Sequence, residues 1–337
     1  MKINHIDTNK KVLIVAEIGN NHEGDFEFAK ELIYLAAEAG ADAVKFQTFN
    51  TKDYISKYDL KRFEMLELFE LSYDKFKILS KVSKDQNLMF ISTPFDIKSA
   101  KFLENIVDVI KISSSDNNFF PLLDSICSSE KPIILSTGLL SLKELDNTIK
   151  YIETKTENII LKDKLAILHC VTAYPVENQY ANLNAIKTLN DKYNITVGYS
   201  DHTLGINASI ASVGIGARII EKHFTKNKNF SNFRDHQISA DPNEFRRMVE
   251  SIREVEVMLG NGEKTLQKPE KKIISKVRRS IVAKRNINKD IILTENDINW
   301  VRPGGGIPPE KTKDVIGKRL NKDLKEGQKI LIKDLSY

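Results

Sequence analysis

The sequence predicts an α/β protein, a (β/α)8 TIM barrel followed by a small β-rich domain, on three observations. From Val12 onward short apolar runs alternate with helix-length amphipathic stretches, the runs number eight, and after Gly262 the alternation stops. Alternation with short connections implies parallel strands with helical crossovers, and eight such units close a barrel. A doubly wound open sheet is the alternative that the count of eight disfavours.

The strand candidates in order are Val12–Ile18, Ala43–Phe46, Leu88–Ser92, Val109–Ile112, Pro132–Leu135, Leu165–His169, Ile195–Gly198 and Arg218–Ile220. Between and after them lie helical stretches at Phe26–Ala39, Tyr73–Asp85, Ile97–Asn105, Leu142–Glu153, Leu183–Lys192, Gly205–Gly216 and Pro242–Leu259. The longest connection, Asn50 to Ser72, has a helical pattern of its own and is expected to fold over the barrel mouth. Residues 1–262 are therefore read as the barrel, 263–279 as a charged linker, and 280–337 as the small domain. In the last segment Ser280–Ala283, Ile291–Leu293, Trp300–Val301 and Ile330–Ile332 read as short strands among turn residues. A domain of that size has a marginal core and is expected to dock on another surface.

At 337 residues, 41% hydrophobic and 29% charged, the chain has the composition of a globular protein with a sizeable core. The formal charge of +5 is small, and the basic cluster after Gly260 lacks interleaved aromatic residues, so a nucleic-acid partner is not expected. No stretch has transmembrane length and Met1–Lys11 has no signal-like apolar core, so neither membrane nor secretion is expected. Two cysteines, Cys127 and Cys170, make no disulfide framework; a cytoplasmic location is the expectation.

In a barrel the C-terminal strand ends form the active face. There Glu17 ends the first strand, Lys45 and Gln47 share a face of the second, and Thr93 follows the third. Lys111 and Ser114 close the fourth, Ser136 the fifth, and Thr172 and Tyr174 follow the sixth. Two lysines and several hydroxyls in one mouth suit a phosphate, which needs both charge and directional donors. His202 and His223 end the last two strands in YSDHT and EKHFT, where neighbouring imidazoles can share a divalent metal, with the acid Glu221 beside them.

These segments carry a resemblance. AEIGNNHEG, VKFQTF, ISTPFD, VIKISSSD, ILSTG, LHCVTAYP, VGYSDHT and EKHFT, then DHQIS and WVRPGGGI, resemble the sialic acid synthase family from about Val12 to the C-terminus. The resemblance implies a barrel joined to a C-terminal antifreeze-like (SAF, β-clip) domain. It implies condensation of phosphoenolpyruvate with a 2-acetamido sugar aldehyde to a nine-carbon 2-keto acid, with release of phosphate. It also implies manganese or magnesium as cofactor, and a domain-swapped homodimer in which the small domain of one chain caps the barrel of the other.

Residue by residue, the resemblance assigns His202 and His223 to the metal. Lys45, Thr93, Lys111, Ser114, Ser136, Thr172 and Ser200 fall to phosphoenolpyruvate. Gln47, Tyr174 and Asp235 fall to the sugar, and Arg302 to its acyl group from the partner chain. Glu17 and Glu221 are the candidate proton carriers, with Glu17 favoured. Three positions depart from the family pattern: Thr172 stands where asparagine is common, Asp116 where glutamate is common, and Asn232-Phe233-Arg234 where a Gly-Pro pair is usual before the aspartate. The expected reaction makes N-acetylneuraminate from unphosphorylated N-acetylmannosamine, with legionaminic or pseudaminic acid from a 2,4-diacetamido-6-deoxyhexose as the alternative. A barrel making a shorter keto-deoxy acid is disfavoured by the appended domain. A carbohydrate-binding barrel without catalysis is disfavoured by the full set of buried charges at one mouth.

Overall fold

The computed structural model describes residues 1–156 and 160–336. Eight parallel strands, β1 (Leu13–Gly19), β2 (Ala43–Thr48), β3 (Met89–Pro94), β4 (Val109–Ile112), β5 (Ile133–Ser136), β6 (Leu165–Cys170), β7 (Thr196–Asp201) and β8 (Ile219–His223), close a barrel in chain order. β8 pairs with β1 on one side and β7 on the other, which seals the cylinder. All eight strands stand where the apolar runs placed them, within three residues at each end.

Alternation along each strand builds two apolar layers and one polar one. Outward residues such as Ile14, Ala16, Val44, Phe46, Phe90 and Ile110 join the inner faces of the surrounding helices in the main core. Inward residues are apolar near the start of each strand, where Leu13, Val15, Ala43, Met89, Ile91 and Ile219 fill the barrel floor. One step further along the same inward rows the residues turn polar: Glu17 follows Val15, Lys45 follows Ala43, Lys111 follows Val109, and Glu221 follows Ile219. The sequence thereby packs the lower barrel and leaves its C-terminal end charged.

A short antiparallel hairpin, Lys2–Ile3 with Ile6–Asp7, precedes β1 and was not anticipated. Its Met1, Ile3 and Ile6 are buried among the floor residues, so it plugs the N-terminal end of the barrel. The covering helices start at side-chain caps: Asp25 accepts from Phe28 N, Ser72 from Lys75 N, Asp96 from Ser99 N and Asp241 from Glu244 N. Such caps satisfy first-turn amides that have no partner inside the helix. Each helix then buries one stripe, as Phe28, Ala29, Leu32, Ile33 and Ala36 do in Phe26–Glu38. The Asn50–Ser72 connection holds two helices, Thr51–Tyr54 and Leu60–Phe69, and a further helix, Phe120–Cys127, escaped the periodicity reading.

The chain divides into two compact units, Met1–Gly260 and Asn261–Tyr337. In the second, Ser280–Ala283 pairs antiparallel with Ile298–Val301, and Arg319–Leu320 with Leu335–Ser336, around a core of Ile281, Ile287, Leu293, Ile298, Leu320 and Ile330. Two expected strands are not formed. Ile291–Leu293 makes a single bridge through Ile292, and Ile332 opens a turn of 3-10 helix, because each triplet buries one side chain and leaves Ile291, Ile292 and Ile332 exposed. Within the segment read as a linker, Lys268–Val277 is an α-helix with no buried residue. Among the described residues no helix is long and apolar enough to cross a membrane, and both cysteines are free and buried.

Candidate active site

Strand register sets the polar residues side by side. Across the β8–β1–β2 ladder His223 faces Glu17 and Glu17 faces Lys45, while on β7 and β8 Ser200 faces Glu221. The outward residues of the same motifs hold this register. The Lys222 ammonium lies 3.2 Å from Asp201 Oδ2, fully buried, and Asp201 also accepts from Thr203 N and Ser209 Oγ at 2.8 and 2.7 Å. Losing either member of such a pair would strand a buried charge.

The inward charges form one network. Lys45 Nζ lies 2.9 Å from Glu17 Oε2 and 3.6 Å from Glu221 Oε1, and Lys111 Nζ lies 3.6 Å from Glu221 Oε2. Gln47 Nε2 donates to Glu17 at 3.1 Å, Ser200 Oγ to Glu221 at 3.0 Å, and Lys111 Nζ to Ser136 Oγ at 2.6 Å. All four charged groups are buried. Their environments separate the two carboxylates. Burial raises the Glu17 pKa, with Lys45 opposing it and Glu221 adding to it. Burial also pushes on Glu221, but Lys111 and Lys45 outweigh it and hold that carboxyl below its usual range. The two adjacent carboxyls are thus pushed in opposite directions.

Beside Lys111, the Ser114 and Thr172 hydroxyls are buried without a hydrogen-bond partner. Both flank Gly138: a methyl there would sit 2.3 Å from Thr172 Oγ1 and 2.6 Å from Ser114 Oγ. Unpaired buried donors cost free energy unless a ligand satisfies them, so this corner is built to receive an acceptor-rich group.

The two imidazoles stand 5.4 Å apart between ring centroids, with the Tyr174 ring 4.2 Å from His202 and 6.1 Å from His223. His202 Nδ1 is 3.0 Å from the Val171 carbonyl, which can only accept, so Nδ1 carries the proton and Nε2 keeps its lone pair. His223 Nδ1 is buried without a partner, and burial together with His202 holds this ring well below its ordinary pKa, hence neutral. A divalent cation requires a free imidazole lone pair, which His223 offers; burial lowers the His202 pKa, but Cys170 and the Val171 carbonyl outweigh burial and raise the value overall, so His202 binds a cation only in its neutral form. Among the described residues no three of His, Cys, Asp and Glu gather as a metal cage, so a cation here would rest on two imidazoles and on oxygens of substrate or water.

Every barrel residue singled out from the sequence lines one cavity of about 930 Å³: Glu17, Lys45, Gln47, Thr93, Lys111, Ser114, Ser136, Thr172, Tyr174, Ser200, His202, Glu221, His223 and Asp235. Arg302 belongs to the second unit and is exposed there. The sequence reading named no residue of the long connection for the cavity's outer wall, which is formed by Tyr54, Arg62, Leu66 and Phe69 together with Phe233 and Arg234 from the segment that departs from the family pattern. The only signal for the first four was the length of that connection, which does fold over the mouth.

Comparison with known proteins agrees with this geometry. Residues 32–264 match the NeuB family and residues 278–336 the SAF domain. The N,N'-diacetyllegionaminic acid synthase of Legionella pneumophila is 40% identical, covering 94% of this chain and 93% of its own. The human N-acetylneuraminate-9-phosphate synthase is 32% identical over 94% and 91%. The crystal structure of an N-acetylneuraminic acid (sialic acid) synthetase from Leptospira borgpetersenii superposes with a TM-score of 0.76 at 34% identity, covering 81% of this chain and 94% of that one. Fold, site and sequence together place the chain in the NeuB family of sialic, legionaminic and pseudaminic acid synthases, with a SAF domain at its C-terminus.

Proposed function

We propose that the protein condenses phosphoenolpyruvate with the open-chain aldehyde of a 2,4-diacetamido-6-deoxyhexose, giving a nine-carbon 2-keto acid and phosphate. The observation that carries the first half is that the unpartnered hydroxyls of Ser114 and Thr172 line the same cavity as Lys111, which is held by Ser136. With Ser136, Thr93 and Lys45 within reach of the same space, it offers a dianion two cations and several donors.

Bound there, the enol carbon C3 attacks the sugar carbonyl, the carbonyl oxygen takes up a proton, and water adds at C2 before the C2–O bond to phosphate breaks. Glu17, its pKa raised by burial against the pull of Lys45, is the readier of the two carboxyls to carry a proton, whereas Lys111 and Lys45 hold Glu221 below its usual range. An anion fixed beside the reacting carbon stabilises the cationic character that develops at C2. His202 and His223 fit a manganese or magnesium ion, which would polarise the aldehyde oxygen. The closed floor of the barrel admits substrate from one end only.

For the sugar, two expectations compete, N-acetylmannosamine and the diacetamido sugar. The diacetamido sugar is favoured by the apolar outer wall of Leu66, Phe69, Phe95 and Phe233, which suits a 6-methyl group and a second acetyl methyl. The 40% identity to a diacetyllegionaminic acid synthase, against 32% to an N-acetylneuraminate-9-phosphate synthase, points the same way. The test is phosphate release from phosphoenolpyruvate with manganese and each sugar in turn, with the product identified by mass. The proposal expects release with the diacetamido sugar and a product mass equal to sugar plus pyruvate. Release with N-acetylmannosamine alone would return the assignment to N-acetylneuraminate, and release with neither would refute the reaction.

A further inference from the structure

The segment that departs from the family pattern puts a guanidinium on the lining of the cavity, with its side chain 61% exposed. Arg234 lies with Cζ 4.3 Å above the Tyr174 ring, and its Nε is 3.3 Å from Asp235 Oδ1. Tyr174 in turn packs on His202 with 4.2 Å between ring centroids, so one tyrosine ring touches both the imidazole and the guanidinium. The stack and the ion pair fix the plane of the guanidinium and occupy its Nε, while among the described residues its terminal amino groups meet only the aromatic face beneath them. Phe233, next in the chain, packs edge-on to Phe69 at 5.1 Å and continues the apolar wall.

A donor fork, a carboxylate and an apolar surface thus lie together. A phosphate would be served by the fork but repelled by Asp235, which is nearly buried. A hydroxyl would leave the apolar wall unused. A secondary amide uses all three: its carbonyl accepts from the fork, its N–H donates to the carboxylate, and its methyl rests on the aromatic wall.

We propose that Arg234, with Asp235 and Phe233, recognises the second acylamino group of the sugar, the one that N-acetylmannosamine lacks, and so sets specificity. Tyr174 contacts both His202 and the Arg234 guanidinium, so a sugar whose aldehyde faces the imidazoles would bring a substituent beyond C2 to Arg234. This rests on the reaction proposed above and adds to it a residue that decides between sugars.

The experiment measures kcat and KM for wild type, Arg234→Ala and Arg234→Lys with saturating phosphoenolpyruvate and three sugars: the 2,4-diacetamido-6-deoxyhexose, N-acetylmannosamine, and N-acetylmannosamine 6-phosphate. Loss of one charge-assisted hydrogen bond corresponds to roughly tenfold or more in KM for the diacetamido sugar. The KM for N-acetylmannosamine should move by less than about twofold on the same scale. Arg234→Lys should recover only part of the loss, because it keeps the charge and loses the fork. An equal shift for both neutral sugars, no shift at all, or a shift confined to the 6-phosphate would overturn the inference and leave the reaction standing. A wild-type chain that releases no phosphate with any of the three would instead overturn the reaction on which it rests.

Discussion

Replacing Lys111 by alanine tests the anion corner most directly. In the free protein two lysines balance two glutamates, and Lys111 is the cation held against Ser136 at 2.6 Å and Glu221 at 3.6 Å. Its removal deletes one charge-assisted bond to the phosphoenolpyruvate dianion, worth about 2 kcal/mol, or roughly thirtyfold in Kd. It also leaves the remaining three groups with one net negative charge, which adds repulsion of the same sign. Glu221 then loses the largest influence opposing its burial, so its pKa rises. As pH falls, protonation of Glu221 removes the excess negative charge, and the ratio of variant to wild-type Kd should narrow. Protonation of the ligand itself affects both proteins alike and cancels in that ratio. Calorimetric titration with phosphoenolpyruvate and no sugar, across a pH series and beside melting curves, reads both effects. An unchanged Kd in a folded Lys111→Ala protein would remove Lys111 from the site, and a ratio independent of pH would refute the coupling to Glu221.

Gly138→Ala should abolish phosphoenolpyruvate binding in the same titration while the barrel still melts cooperatively, because its methyl would meet the Thr172 and Ser114 hydroxyls at 2.3 and 2.6 Å; retained affinity would mean that this corner is not the anion site. His22 is buried, accepts from Gly24 N through Nδ1, and has its pKa lowered by burial from 6.5 to about 4. A depressed folded-state value gives stability that is full above pH 6.5 and lost as pH falls towards 4, about 3 kcal/mol in all, so His22→Gln should flatten the denaturant-measured slope across that window. His223→Ala should lower manganese bound per chain, measured by elemental analysis after dialysis, along with activity; full metal content in that variant would refute the imidazole pair as the cation site. If Arg302 serves a partner chain, co-expressing Arg302→Ala with Lys111→Ala should restore activity in mixed dimers, about half of those formed by random pairing; no recovery in verified mixed dimers would assign Arg302 to its own chain or to no site.

The barrel was legible because each strand announces itself twice, by its apolar run and by the polar residue that ends it. The plug hairpin was not, since Lys2–Ile3 and Ile6–Asp7 are too short to show a period and are held by the barrel floor into which Ile3 and Ile6 pack. Phe120–Cys127 was hidden for another reason: FPLLDSIC spans barely two turns, and its apolar residues do not settle on one spacing. In the small domain Ile291–Leu293 and Ile330–Ile332 have strand-like composition, but among the described residues the first makes one bridge, through Ile292, the second none, and one side chain per triplet reaches the core.

The site divides along the same line. Which residues meet at the mouth follows from strand order and period alone, so Glu17, Lys45, Lys111, Glu221 and the two histidines could be named in advance. What each does depends on distances that no spacing encodes. Glu17 and Glu221 are equivalent in sequence terms, each an acid on an inward row near a strand end. The structure separates them by neighbours: Lys45 alone lies against Glu17 at 2.9 Å, whereas Glu221 is shared by Lys45 and Lys111 and receives Ser200. Each accepts one neutral donor, Gln47 for Glu17 and Ser200 for Glu221, so the second cation is what differs: it holds Glu221 below its usual range, whereas burial raises Glu17 against Lys45 alone. Arg234 shows the same limit from the other side, since its position beside Asp235 was visible, but the stack on Tyr174 that holds it on the cavity lining exists only once β6 and the loop after β8 lie together.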